Sequence, residues 1–347
     1  MLNIKLLGII GLSATIIFTG CTDDKNTANP LDGRQSFPVL TGETLPLSDS
    51  LLNPHTLFVI GDGLLIEDPE DSHFYKYFKD INNSSMTLVA TKGMGPDEFI
   101  KPRNVRYDGV SDRIFIYDTS LKKGAYLSPI DGSVVESCIL SDAVAREILT
   151  VGKCFIGNGA FENGYFAAMD STGKTKEVFG QIPLRKYEGE DHLLDYLCNQ
   201  TQIAVSPDNT RFAAAGSFSD WLVFYDISGD RPSKIREYST YPSALEVKSK
   251  PNGSYSVDFR PEAIISYRVL APTDKYLYAM YDGRTNEEAD NKKEPDIAIL
   301  QFDWDGNFIK GVSIPERVFY IAVDNDYSTL YALVRTDEAK VLKAYSM

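Results

Sequence analysis

The feature that most restricts this chain is a strand pair that returns about every 50 residues along its length. The most regular member of each pair is a run of aromatic, aliphatic and small residues, found at 64–66, 113–117, 154–156, 211–215, 276–281 and 329–334. A short apolar strand precedes each run, at 57–60, 105–107, 148–151, 203–206, 265–270 and 319–323. The joints are turn formers: Gly61-Asp62-Gly63, 108–112, Gly152-Lys153, Pro207-Asp208-Asn209, Pro272-Thr273-Asp274 and Asp324-Asn325-Asp326. A second set of short polar turns closes an outer strand pair, at Asn82-Asn83, Asp131-Gly132, Ser171-Thr172-Gly173, Ser228-Gly229-Asp230 and Asp305-Gly306. Asp-Gly is a strong hairpin signal because glycine accepts positive φ without steric penalty. Six such units predict an all-β fold, a six-bladed β-propeller with four-stranded antiparallel blades, in which radial packing leaves only short, protected edges. The last unit ends at 341–345 after three strands, and 37–47 is expected to supply the fourth and close the ring. The predicted propeller spans 37–347.

With 43% hydrophobic and 24% charged residues the 347-residue chain can bury a large core. The 20 Tyr and 18 Phe suit pleated, half-buried surfaces. A formal charge of −14 argues against nucleic acid, whose phosphates need a basic surface. The same charge repels anionic lipid, so membrane contact requires a dedicated anchor.

The N-terminus offers one. Lys5 precedes an apolar run, 6–18, of signal-peptide length and too short to span a bilayer. It ends at Thr19-Gly20-Cys21, which resembles the bacterial lipobox, with Phe18 departing from the usual Leu. The resemblance implies a signal peptide over 1–20, cleavage before Cys21 and acylation there, each buried methylene adding roughly 0.8 kcal/mol of membrane affinity. Asp23-Asp24 resembles the surface-export signal of Bacteroidetes lipoproteins; a solvated tether is the plain alternative. Residues 21–36 read as a flexible tether. Cys138, Cys154 and Cys198 show no metal or redox spacing and read as buried small hydrophobes.

One crossing stands out. Gly93-Met94-Gly95-Pro96-Asp97-Glu98-Phe99 allows a glycine-mediated turn, stiffened by Pro96, with Glu98 available to backbone N–H groups. Followed by Pro102 and an aromatic strand pair, it resembles the TolB-like six-bladed propeller lipoproteins of Bacteroidetes over 37–347. That family has no defined chemistry, so the resemblance implies a fold and an outer-membrane address and no activity.

In a propeller the short turns listed above share one face, whereas loops between second and third strands share the other with the blade crossings. The long connections 93–99, 181–199, 239–263 and 282–295 all fall on this second, long-loop face, and loops on a rigid scaffold carry binding residues. Tyr241, Tyr255, Phe259 and Arg260 have the aromatic-plus-arginine make-up of a binding surface, and packing onto the propeller accounts for them equally well. Residues 190–197 show helical apolar spacing, and 284–294 read as a mobile solvated loop. The three histidines, His55, His73 and His192, have no metal-ligand spacing, and no P-loop or nucleophile elbow occurs. Asp108, Glu147 and Asp324 read as turn caps. Two functions are expected: a non-enzymatic binding or scaffold module for an envelope protein or glycan, without a cofactor, or a hydrolase of glycans or lactones using channel carboxylates and a bound Ca²⁺.

Overall fold

The computed structural model describes residues 29–347 apart from 71, 110, 141–144, 182–199, 240, 242–243 and 250–254. The expected signal peptide, Cys21, the expected helix at 190–197, His192 and Cys198 lie outside the described residues, as does the side chain of Tyr255. The recurring strand pairs form six four-stranded antiparallel sheets, with blades at 56–91, 102–139, 147–179, 201–238, 267–314 and 318–346. Inner strands Thr56–Ile60, Pro102–Asp108, Glu147–Val151, Thr201–Val205, Tyr267–Pro272 and Val318–Val323 follow the expected apolar runs.

Period-two alternation explains how the blades hold one another. On the second strand of blade 4, Arg211–Gly216, the residues Ala213 and Ala215 pack with Leu277, Ala279 and Tyr281 of blade 5. Phe212 and Ala214 turn the other way, onto Ile156 and Phe166 of blade 3. Both faces of a middle strand are therefore core, and alanine lets neighbouring sheets approach closely. Phe166 lies 4.9 Å from Phe212 and stacks with Trp221 at 6.0 Å between ring centroids, filling the wider space outboard. Each large apolar side chain buried in this way contributes roughly 1.5–3 kcal/mol.

Ring closure comes from the N-terminal segment, in two pieces. Gly42–Thr44 pairs antiparallel with Lys340–Ser346 and completes blade 6. The residues just before it serve blade 5 instead: Ser313 N donates to Pro38 O, and Leu40 N to Ser313 O, both at 2.9 Å. Residues 29–36, read as the end of the tether, lie packed on the propeller. Asn29 Nδ2 donates to Asp220 at 3.2 Å, Leu31 joins the blade 4–5 core, and the Arg34 guanidinium stands 5.4 Å from the Tyr281 ring centre.

The glycine-rich crossing is structural. Gly95 N donates to Glu98 Oε2 at 2.8 Å, and at Gly93 (φ +152°) an added Cβ would sit 1.9 Å from that same oxygen. Buried Lys123 donates to the carbonyls of Pro96 (3.0 Å) and Glu98 and lies 4.2 Å from the Phe99 ring centre. Burial lowers its pKa. Asp118, at the end of the second strand of its blade, accepts from Ile100 N and Lys101 N at 2.7 and 2.8 Å. Asp68 repeats the device one blade earlier, accepting from Leu52 N and Asn53 N beside Lys76 (2.8 Å). Burial alone would raise its pKa, but Lys76 and those two N–H groups bring it below the usual value.

The insertions carry structure of their own, and for 284–294, read as a mobile solvated loop, this is a correction. The crossing 239–263 carries a two-stranded hairpin, Leu245–Ser249 with Tyr255–Phe259. The stretch 284–294 holds a short helix, Asn286–Asp290, closed by a capping box in which Thr285 and Glu288 bond each other's backbone N–H. Asn286 N and Glu287 N bond the carbonyls of Ala263 and Pro261, tying the two insertions together over blades 4 and 5. Cys154 is exposed rather than buried, because it opens its strand beside the Gly152-Lys153 turn, and Cys138 is half-buried on an outer strand.

Candidate functional site

Every inner strand starts at the long-loop face and ends at the short-turn face, so the two ends of the central channel are built from opposite ends of the same six strands. At the long-loop mouth stands Glu147, the first residue of its strand. It is no turn cap: its carboxylate accepts from Asn158 Nδ2 at 3.1 Å, on the neighbouring strand of its blade. The same Nδ2 reaches Thr201 O (3.2 Å) and Oγ1 (3.1 Å) of blade 4, and Asn158 Oδ1 accepts from Glu147 N at 3.2 Å. Protein surrounds the carboxyl on nearly every side although it keeps some open surface. Burial pushes its pKa up to about 7, against the opposing pull of Asn158, Arg146 and Arg103.

Other groups face the same space. Tyr320, on the inner strand of blade 6 opposite blade 3, has its hydroxyl pKa raised by burial and then by the charges of Glu67 and Glu147. Its ring meets Phe58 edge-on, 5.7 Å between centroids. Glu67 accepts from Thr56 Oγ1 at 3.0 Å at the mouth of blade 1, and Arg103 is exposed near the start of the inner strand of blade 2. Two acids, an arginine and a phenol therefore lie within electrostatic reach of one another at this end, with Phe58 against the phenol ring.

The other end is bridged between blades. Arg106 crosses beneath blades 3 and 4, and its Nη1 donates to Thr150 O, to Thr150 Oγ1 (3.2 Å) and to Asn209 Oδ1 (2.8 Å). Its Nη2 donates to Ser206 O at 2.8 Å. Burial lowers its pKa to about 10. At the same face Asn325 Nδ2 bonds Gly61 O (2.7 Å), joining blades 6 and 1. Among the described residues the short-turn end of the channel is thus bridged between blades, and the recess at its long-loop end is where a ligand site on a rigid scaffold is to be sought.

The candidate residues read from sequence divide. Tyr241 reaches Ser266 Oγ (2.7 Å) and the Tyr281 hydroxyl (3.0 Å), and its backbone N bonds Asp220 (3.0 Å). Phe259 stacks on Phe218 with ring centres 3.7 Å apart. Both fasten the insertion to the propeller. Arg260 is exposed, 3.8 Å from Glu262 and free to meet a partner. Asp108 and Asp324 do cap turns, accepting from Ser111 Oγ (2.6 Å) and from Ser328 N (3.0 Å). Arg103, Arg106, Asn158, Thr201 and Tyr320 escaped the sequence reading. The available signal was two arginines in the strand Pro102–Asp108 and an acid opening the largely apolar run Glu147–Val151. Among the described residues no three His, Cys, Asp or Glu side chains gather as a metal site, and no helix is long and apolar enough to cross a membrane.

Comparison with known proteins gives the kinship. A family profile described as TolB-like 6-blade propeller-like matches residues 39–326. No match was found among curated proteins. Among solved structures the chain is similar to a member of the DUF4221 family from Bacteroides vulgatus, at 15% identity and a TM-score of 0.60, covering 90% of this chain and 99% of that one. It is also similar to a protein from Bacteroides fragilis described as exported, at 16% identity and a TM-score of 0.55, covering 90% and 95%. At these identities the likeness is one of fold.

Proposed function

The chain belongs to the TolB-like six-bladed propeller family, and from that premise we propose that it is an exported binding module, held to the outer membrane through an acylated Cys21, that takes a protein or glycan partner at its long-loop face. The observation that carries this is the asymmetry of the channel. One end is bridged by Arg106, and at the other Glu147, Arg103 and Tyr320 lie on the face where the insertions gather. A carboxyl that changes protonation near neutrality, beside an exposed guanidinium and an aromatic ring, suits polar groups such as sugar hydroxyls or a side chain presented by a partner protein.

The test is retention of envelope proteins and glycans by the full-length protein, by Arg103→Ala with Glu147→Gln, and by Arg260→Ala. Loss in the double variant with its fold intact supports the recess as the site, and undiminished retention refutes it. A specific observation keeps hydrolysis as the second reading: protonated Glu147 is a competent proton donor, with Glu67 facing the same opening. Glycan or lactone turnover by the wild type, abolished by Glu147→Gln, would establish that reading in place of binding.

A further inference from the structure

The described chain is pinned to one face at its very start. Asn29 bonds Asp220, which lies in the loop between the second and third strands of blade 4, and Leu31 and Arg34 continue across blades 4 and 5 on that face. Eight peptide units separate Asn29 from Cys21, a reach of about 29 Å when fully extended. To bring the opposite face to a bilayer, the tether would first pass the two outer strands of the blade, about 10 Å. It would then descend the height of a six-residue strand, about 20 Å. That consumes the whole segment before any lipid is met.

A second observation lies across the ring, on the same face. The crossings into blades 1 and 2 present Leu52, Met94 and Ile100, which are 76%, 81% and 41% exposed. They belong to one continuous surface. Leu52 N bonds Asp68, the loop that follows bonds Lys92 through the carbonyls of Glu70 and Ser72, and Lys92 leads into the 93–99 crossing. Lys101 and Lys122 are exposed beside these tips, as is Asp97. A formal charge of −14 gives the molecule no general attraction to anionic lipid. The tether therefore imposes the orientation, and the apolar tips complete it on the far side of the ring.

We propose that the long-loop face rests on the lipid surface that carries Cys21, with Leu52, Met94 and Ile100 at the headgroup boundary. This rests on the anchoring reading above and sharpens it: a partner entering the recess does so at membrane level, and the short-turn face looks away. The test uses the acylated full-length protein with Cys138, Cys154 and Cys198 replaced by Ser, in phosphatidylethanolamine–phosphatidylglycerol vesicles containing spin-labelled lipid. A fluorophore is attached through Met94→Cys or through Ile130→Cys; Ile130 is equally exposed, at 81%, in a short turn on the opposite face. Mass spectrometry of the N-terminal peptide reports the acylation of Cys21 separately. Quenching several-fold stronger at position 94 than at 130 supports the proposal. Equal quenching, or stronger quenching at 130, with Cys21 acylated overturns the orientation alone. An unacylated Cys21 overturns the anchoring reading, and the orientation with it.

Discussion

The two ends of the central channel each hold one enclosed charge, and the protein treats them oppositely. Arg106 spends its guanidinium on three residues of blades 3 and 4, Thr150, Ser206 and Asn209. Among the described residues the Glu147 carboxylate has one side-chain hydrogen-bond donor, Asn158, and burial leaves it poorly solvated at the long-loop end. A charge held by several acceptors is a rivet. A charge enclosed but under-partnered is available to a ligand and makes stability depend on pH. The same six strands supply both, so the difference lies in what each end of the strands meets.

The largest effect expected of this contrast is at the rivet. Arg106→Met leaves two strand-end carbonyls and the Asn209 side chain without their donor and should destabilise the fold by roughly 4 kcal/mol. A urea midpoint that falls at constant slope is the check. A shift under about 1 kcal/mol would mean that Arg106 is incidental to the bridging of this end.

Next comes the mouth. Folding raises the Glu147 pKa from 4.5 to about 7, so its contribution is fully present below pH 4.5 and is lost as pH rises through 7. The loss amounts to roughly 3 kcal/mol between pH 4 and pH 8. Glu147→Gln should match the wild type near pH 4 and exceed it at pH 8. Parallel pH–stability curves for the two proteins would remove the proposed difference between the channel ends.

Two smaller effects carry the same test to the insertion over blades 4 and 5. Tyr241→Phe forfeits the hydroxyl contacts to Ser266 and Tyr281 and should lower stability by about 1 kcal/mol, read by thermal unfolding. Arg260→Ala should change stability by less than about 0.5 kcal/mol while reducing partner retention in the pull-down. A stability loss at Arg260 as large as that at Tyr241 would mark both as packing residues.

How far these sites were legible follows from range. Turn acids such as Asp108 and Asp324 bond atoms only a few residues away, so sequence exposes their role. The 93–99 crossing announced itself through its two glycines, its proline and Glu98, all acting within that one loop. Glu147 sits in the same kind of local context, an acid beside an apolar strand, and sequence reads it as one more cap. Its true setting depends on Thr201, 54 positions away in the chain, and on Tyr320 across the ring. Tyr241 and Phe259 have the composition of a binding surface, and only their contacts with Tyr281 and Phe218 turned them into fasteners.

What the sequence determined by itself was the repeat: six strand pairs, their turns, and the need for an N-terminal strand to complete the last blade. Those follow from period-two patterning and turn chemistry, which act between neighbours in the chain. Tertiary structure decided which end of the channel is bridged between blades, which charge has fewer partners among the described residues, and that residues 38–40 serve blade 5 before 42–44 close blade 6. Those outcomes depend on strands far apart in sequence meeting at one axis, where dielectric and hydrogen-bond supply are set by the whole ring rather than by any one blade.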